Sequence, residues 1–167
     1  MSKAYEMISK FYGDRKAKRS QVPLMNHINE GLIILDYYNA DDKTKDAFCL
    51  HPIVQNNLDL IANIENGILD IDIDAQTVVY AMEYGRVANL YLLPKFESEN
   101  DIIELSPLNE VNLMLKADKI QNRKDFLKYH YDTHDKSKEL NQYFKNWLNV
   151  LQISEEEYLL IINLLNN

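Results

Sequence analysis

The chain has 167 residues, a length that suits one domain with one sizeable core. Hydrophobic residues make up 46% of it and charged residues 26%, a balance that excludes intrinsic disorder. Its net charge of -8 argues against general binding to nucleic acid or membrane surfaces, since both need a cationic face.

No apolar run approaches the roughly 18 residues needed to span a bilayer. The first residues, Met1 to Glu6, lack the apolar stretch of a secretion signal. The one cysteine, Cys49, allows no internal disulfide, so a reducing, cytoplasmic setting is the expectation. Four Gly and four Pro leave few places for sharp turns, and the abundance of Leu, Ile, Asn, Lys and Glu favours helices.

Residues 2–12 read as a first helix, capped by Ser2, with Ala4, Met7, Ile8 and Phe11 on one face. The loop from Gly13 to Pro23 carries a compact basic cluster of Arg15, Lys16, Lys18 and Arg19, either a solvated loop or an anion-binding one. Pro23 sits at a favourable helix start, and Leu24 to Tyr38 places Leu24, Ile28, Leu32 and Leu35 on one face. A third helix is predicted from Asp42 to about Leu50, with a break or kink where Pro52 lacks an amide hydrogen. Asn56 to Ile64 suits a short helix ended near Asn66-Gly67. Leu69 to Asp74 alternates like a strand but runs straight into a helical pattern from Ala75 to Leu93. It reads as an extended connector, with a lone edge strand as the alternative. Ser106-Pro107 is expected to open a further helix bearing Val111, Met114, Leu115 and Ile120. Thr133 to Val150 and Ser154 to Leu165 complete the set, the last with a capping box of Ser154 and Glu157. The predicted fold is all-α, a single-domain bundle of seven to eight helices.

Four histidines are present. His130 and His134, among Tyr129, Tyr131 and Asp132, read as an exposed interhelical segment without a metal role. His27 and His51 stand in more informative surroundings. Arg19 to His27 is a basic loop, a Pro-apolar step and a helix-borne His. Ala47-Phe48-Cys49-Leu50-His51 is an apolar helix that ends in a His. Met82-Glu83-Tyr84-Gly85-Arg86-Val87-Ala88 and Leu115-Lys116-Ala117-Asp118-Lys119-Ile120-Gln121-Asn122-Arg123 follow. In that order, across roughly residues 15–125, these segments resemble the hydrolase domain of the alarmone-degrading RelA/SpoT family, within the HD-type metal-dependent phosphohydrolases.

The resemblance implies an HD-domain-like fold and a divalent metal, manganese or another transition metal. It implies His27, His51 and Asp118 as ligands. It places Arg15, Lys16 and Arg19 where the family contacts phosphates and base, and Asn122 where it contacts the nucleotide. The implied ligand is a phosphorylated nucleotide such as guanosine tetraphosphate, with no nucleic acid and no membrane as partner. Assembly into a homo-oligomer stays open.

Such a set has a chemical reason: opening a phosphate ester needs a cation to polarise the phosphoryl oxygens and activate water. Imidazoles and carboxylates hold the cation while leaving positions free for substrate. The sequence departs from the family at one short segment. The His-Asp pair is His51-Pro52 here, and Gln55 and Asn56 stand where the family has an acidic pair that positions water. Amides take no proton from water at neutral pH. Glu30, one turn after His27, is a candidate substitute ligand. Three readings follow: an enzyme with a rearranged ligand set, an inactive protein that binds or sequesters a nucleotide, and a protein–protein adaptor.

Overall fold

The computed structural model describes residues 2–18, 20–55, 57–69, 72–92, 103–131, 133 and 135–166, with Asn57 and Asp59 by backbone alone. Among these residues lie eight helices and no strand. They are α1 (Lys3–Tyr12), α2 (Met25–Tyr37), α3 (Asp42–Val54), α4 (Asn57–Glu65), α5 (Ala75–Leu90), α6 (Asn109–Tyr129), α7 (Ser137–Val150) and α8 (Glu155–Leu165).

Four of these helices begin where a short polar side chain takes an otherwise unpaired amide. Ser2 accepts from Tyr5, Asp41 from Thr44, Asp74 from Gln76 and Thr77, and Ser154 from Glu157. The apolar faces then dictate the packing. Ala4 and Ile8 of α1, Ile28, Ile34 and Leu35 of α2, and Phe48, Leu50 and Ile53 of α3 are fully buried in one core. Helix α6, the longest, runs through the middle and packs against α2, α3, α5 and α7. It buries Val111, Met114, Leu115 and Ile120, as its apolar spacing predicts.

The same helix also buries Asp118, Lys119, Gln121, Arg123 and Lys124, which simple amphipathicity does not predict. Arg123 shows how one of them is accommodated. Its guanidinium forms a fork to Glu155, at 2.8 and 3.0 Å, and lies 4.2 Å above the Tyr158 ring. That contact fastens α8 to α6, and a 2.9 Å bond from the Tyr38 hydroxyl to Glu157 fastens α8 to α2.

Several boundaries differ from the expected ones. Helix α3 continues through Pro52 to Val54 instead of ending near Leu50. Proline deletes only one bond of the helical ladder, and the carbonyl left over finds a side-chain donor, described below. Helix α6 starts at Asn109, not at Ser106-Pro107. Ser106 serves the preceding turn instead: its hydroxyl accepts from the Leu108 amide and donates to Glu83 of α5. Helix α7 starts at Ser137 rather than Thr133. Pro23 lies before α2 in an isolated antiparallel bridge with Lys16, which closes the basic loop. The expected connector of 69–74 includes Asp70 and Ile71, which lie outside the described residues.

One close approach sets the spacing between α3 and α5. A Cβ on Gly85 would meet the Gln55 carbonyl oxygen at 2.3 Å, so only glycine lets α5 lie this near the end of α3. Gly85→Ala should therefore destabilise the fold by about 1–3 kcal/mol, the cost of overpacking. Urea unfolding checks this, and a variant as stable as the wild type would show that the two helices separate freely.

Candidate metal centre

Three helices deliver the candidate ligands. His27 comes from the first turn of α2, His51 from the last turn of α3 and Asp118 from the middle of α6. One ligand atom of each lies within 4.8 Å of the others. The two imidazole Nε2 atoms are 3.3 Å apart, and His27 Nε2 is 3.6 Å from Asp118 Oδ1.

The orientation of both rings follows from what their other nitrogen meets. His51 Nδ1 lies 2.6 Å from the Phe48 carbonyl, an acceptor only, so Nδ1 carries the hydrogen. His27 Nδ1 lies 2.7 Å from Gln121 Oε1. The Gln121 amide nitrogen donates to Glu30 Oε2 at 3.1 Å and to Asp125 Oδ2 at 2.8 Å, which fixes its oxygen toward His27. His27 Nδ1 therefore also donates. In the neutral form of each ring Nε2 is then the bare nitrogen, and the two lone pairs face each other beside a carboxylate. Such an arrangement is repulsive unless a proton or a cation lies between the rings.

The donor set suits a cation. Metal–ligand bonds of about 2.0–2.1 Å in a tetrahedral arrangement put neighbouring donors about 3.3–3.4 Å apart, close to the two separations that His27 Nε2 makes, with all three donors within 4.8 Å of one another. Two imidazoles and one carboxylate leave a coordination position open, as in catalytic rather than structural zinc sites. Burial, and next the proximity of His27, lower the His51 pKa to about 3, so this ring is neutral and able to coordinate at ordinary pH.

Asp118 is equally constrained. Burial alone would raise its pKa, but the neighbouring charges, the Lys119 ammonium first among them, outweigh that and hold it at about 2. Lys119 Nζ is 2.9 Å from Asp118 Oδ2, and Asn122 donates to Oδ1 at 2.8 Å. The Tyr84 phenol faces this carboxylate, and burial, with the negative charge of Asp118 next, raises it well above its usual range. Lys119 itself sits against Trp147, 4.8 Å from the ring centre.

The cluster opens into a cavity of about 620 Å³. His27, His51, Asp118, Gln55 and Asn122 all reach it, beside apolar and aromatic walls that include Tyr12, Tyr143 and Phe144. The basic loop contributes Ala17 and Ser20 to the lining, but not Arg15, Lys16 or Lys18. Arg15 does not face the mouth as its expected role requires. It turns back to donate to the carbonyls of Phe11 and Tyr12, and stacks 4.7 Å above the Phe11 ring. An unpaired helix C-terminus attracts a nearby guanidinium in just this way. Lys16 is exposed and does not line the cavity. Arg19, Asn56 and His134 lie outside the described residues. His130 ends α6 and lines the cavity.

Glu30 is not among the converging ligand atoms. It pairs with Lys124 at 2.5 Å and reaches His27 only through Gln121. Sequence reasoning missed Tyr84, Lys119 and Gln121 as partners of the cluster. The signal for one group was present: Asp118, Gln121, Asn122 and Asp125 are spaced three and four apart, on one face of α6.

The buried, neutral His51 makes metal-free stability depend on pH in a defined window. Below about 6.5 the unfolded chain binds a proton that the native ring refuses until about pH 3. Stability should fall as pH drops from 6.5 toward 4, by up to about 1.4 kcal/mol per unit. Asp118, Lys119 and Tyr84 face the same ring, and their shifts hold their own titrations outside that window. Urea unfolding of chelator-treated protein at a series of pH values tests this, with His51→Gln expected to show the shallower dependence.

No protein family, curated protein or solved structure matches this chain.

Proposed function

We propose that the chain is an HD-type, metal-dependent phosphohydrolase-like protein that acts on a phosphorylated nucleotide, with a ligand set reduced to His27, His51 and Asp118. The observation that carries this reading is the convergence of two unprotonated Nε2 atoms and a carboxylate, from three helices, beneath an open cavity. A divalent cation held there would polarise a phosphoryl oxygen and lower the pKa of water. The remaining roles fall to the chain itself. Lys119 and Asn122 hold the Asp118 carboxylate in place. Gln121 and the Phe48 carbonyl hold the two rings. The aromatic walls suit the face of a nucleobase.

A second reading has its own observation. Gln55 lines the cavity where the resembling family has a carboxylate, and an amide cannot accept a proton from water. On that reading the cavity binds a nucleotide and turns it over slowly or not at all.

Manganese titration by calorimetry is expected to show one equivalent bound. His51→Ala and Asp118→Ala should each weaken it by more than the roughly 10–100-fold that loss of a ligand's hydrogen-bond partner costs. Unchanged binding in both variants removes the metal reading. Wild-type turnover of guanosine tetraphosphate should be slow, and Gln55→Glu should raise kcat by up to about 10²-fold, the lower range for a general base. Brisk wild-type hydrolysis that is lost in Asp118→Ala would instead discard the binding-only reading. Arg15→Ala should leave nucleotide affinity within about twofold, the usual limit for a surface change.

A further inference from the structure

Pro52 occupies the last turn of a helix that passes straight through it, beside a candidate ligand. In an α-helix the amide of residue 52 would donate to the carbonyl of residue 48. Proline has no amide hydrogen, and its ring crowds that same carbonyl. The Phe48 oxygen is thus the one acceptor of α3 that Pro52 releases, and His51 Nδ1 donates to it at 2.6 Å. The bond is short, both partners are buried, and it spans three residues of one helix. It requires the hydrogen on Nδ1, which leaves Nε2 bare and 3.3 Å from His27 Nε2.

Building on the metal reading above, we propose that Pro52 is a positioning residue: by withdrawing its amide from Phe48 it hands that carbonyl to His51 and locks the ring in the ligating tautomer. The device takes the place of a ligand. Where the resembling family has an aspartate, this chain has a residue that contributes no donor atom but orders its neighbour. Phe48 is itself held in place, because its ring packs directly over Gly31 of α2, where any Cβ would overlap it. The carbonyl is therefore anchored on one side by the core and freed on the other by proline.

Pro52→Ala returns the amide to Phe48 and makes it compete with His51 for the same oxygen. This variant should fold at least as stably as the wild type, because it restores a helical bond and a better helix former. A merely structural proline predicts nothing more. The proposal predicts two further changes. In metal-free protein, ring-nitrogen NMR should show wild-type His51 wholly as the Nδ1–H form and the variant as a mixture with the Nε2–H form. Zinc affinity should fall about 10-fold, the loss typical when a ligand's orienting partner is disturbed. Placing the α-hydroxy analogue of alanine at position 52 removes the amide hydrogen without restoring the ring, and should return both readings toward wild type.

A wild-type His51 in the Nε2–H form would overturn the proposal without any variant. So would a Pro52→Ala protein with unchanged tautomer and zinc affinity, or an ester variant that behaves like Pro52→Ala. If the tautomer responds as expected while the wild type binds neither zinc nor manganese, the role of Pro52 stands and the metal reading of the site falls.

Discussion

A carboxylate taken out of water in the middle of a helical bundle must be compensated, and Asp118 is such a carboxylate, 4% exposed and ionised. Most of the site's arrangement can be traced to that requirement. Lys119 supplies the opposite charge from the next residue, curling back to the other oxygen and resting on Trp147. Asn122 brings a neutral donor from α6, and the Tyr84 phenol of α5 faces the same carboxylate. The two histidines bring their Nε2 atoms beside it from α2 and α3. Four helices are thereby tied to one side chain, and Gly85 lets α5 come near enough for the residue before it to take part. A buried ion pair of this kind is weak support for stability, since well-packed apolar residues often replace it without loss. Its use here is more naturally positional: it fixes where a negative charge sits and which way it points.

Behind this layer lies a second polar layer built from Glu30, Lys124 and Asp125. Gln121 joins the two. Its amide donates to both acids and its oxygen accepts from His27, so the polarity of the outer layer determines the tautomer of a ring in the inner one. A carboxylate acting through an amide orders the imidazole more gently than one bonded to it directly, because no full charge faces the ring.

The helices were legible in the sequence from periodicity, whereas the meeting of His27, His51 and Asp118 was expected only from the family resemblance, since no helical period links residues on three different helices. Short polar residues before apolar runs mark starts, and residues spaced by three or four share a face. What periodicity does not encode is where a long side chain goes once it leaves the backbone. Arg15 stands in a basic cluster, which suggested an anion site, but the nearest unmet acceptors are the carbonyls ending α1. Glu30 shares a face with His27, which suggested a ligand, but Lys124 lies 94 positions away in sequence and claims it. The start of α6 was misplaced because Ser106 has a better partner in Glu83 of another helix than in its own first turn. For Glu30 and Ser106 a contact distant in sequence outweighed a local rule, and for Arg15 the competing acceptors lie only three and four residues back.

Pro52 shows the converse, a local rule broken at a place where breaking it has a use. A proline in a helix, two unprotonated ring nitrogens face to face and a charge pair buried beside them are each unfavourable taken alone. A well-formed core elsewhere in the bundle tolerates them, and all three occur within one cluster. Sequences agree with their folds at most positions, and clustered disagreement is the pattern expected of a site kept for chemistry rather than for stability. The disagreement also limits that chemistry. With Lys119 neutralising Asp118 and no second carboxylate from position 52, a divalent cation here would keep most of its positive charge. The cluster would therefore hold it less tightly than a site with two free carboxylates, and leave it the more attractive to an anionic ligand entering from the cavity.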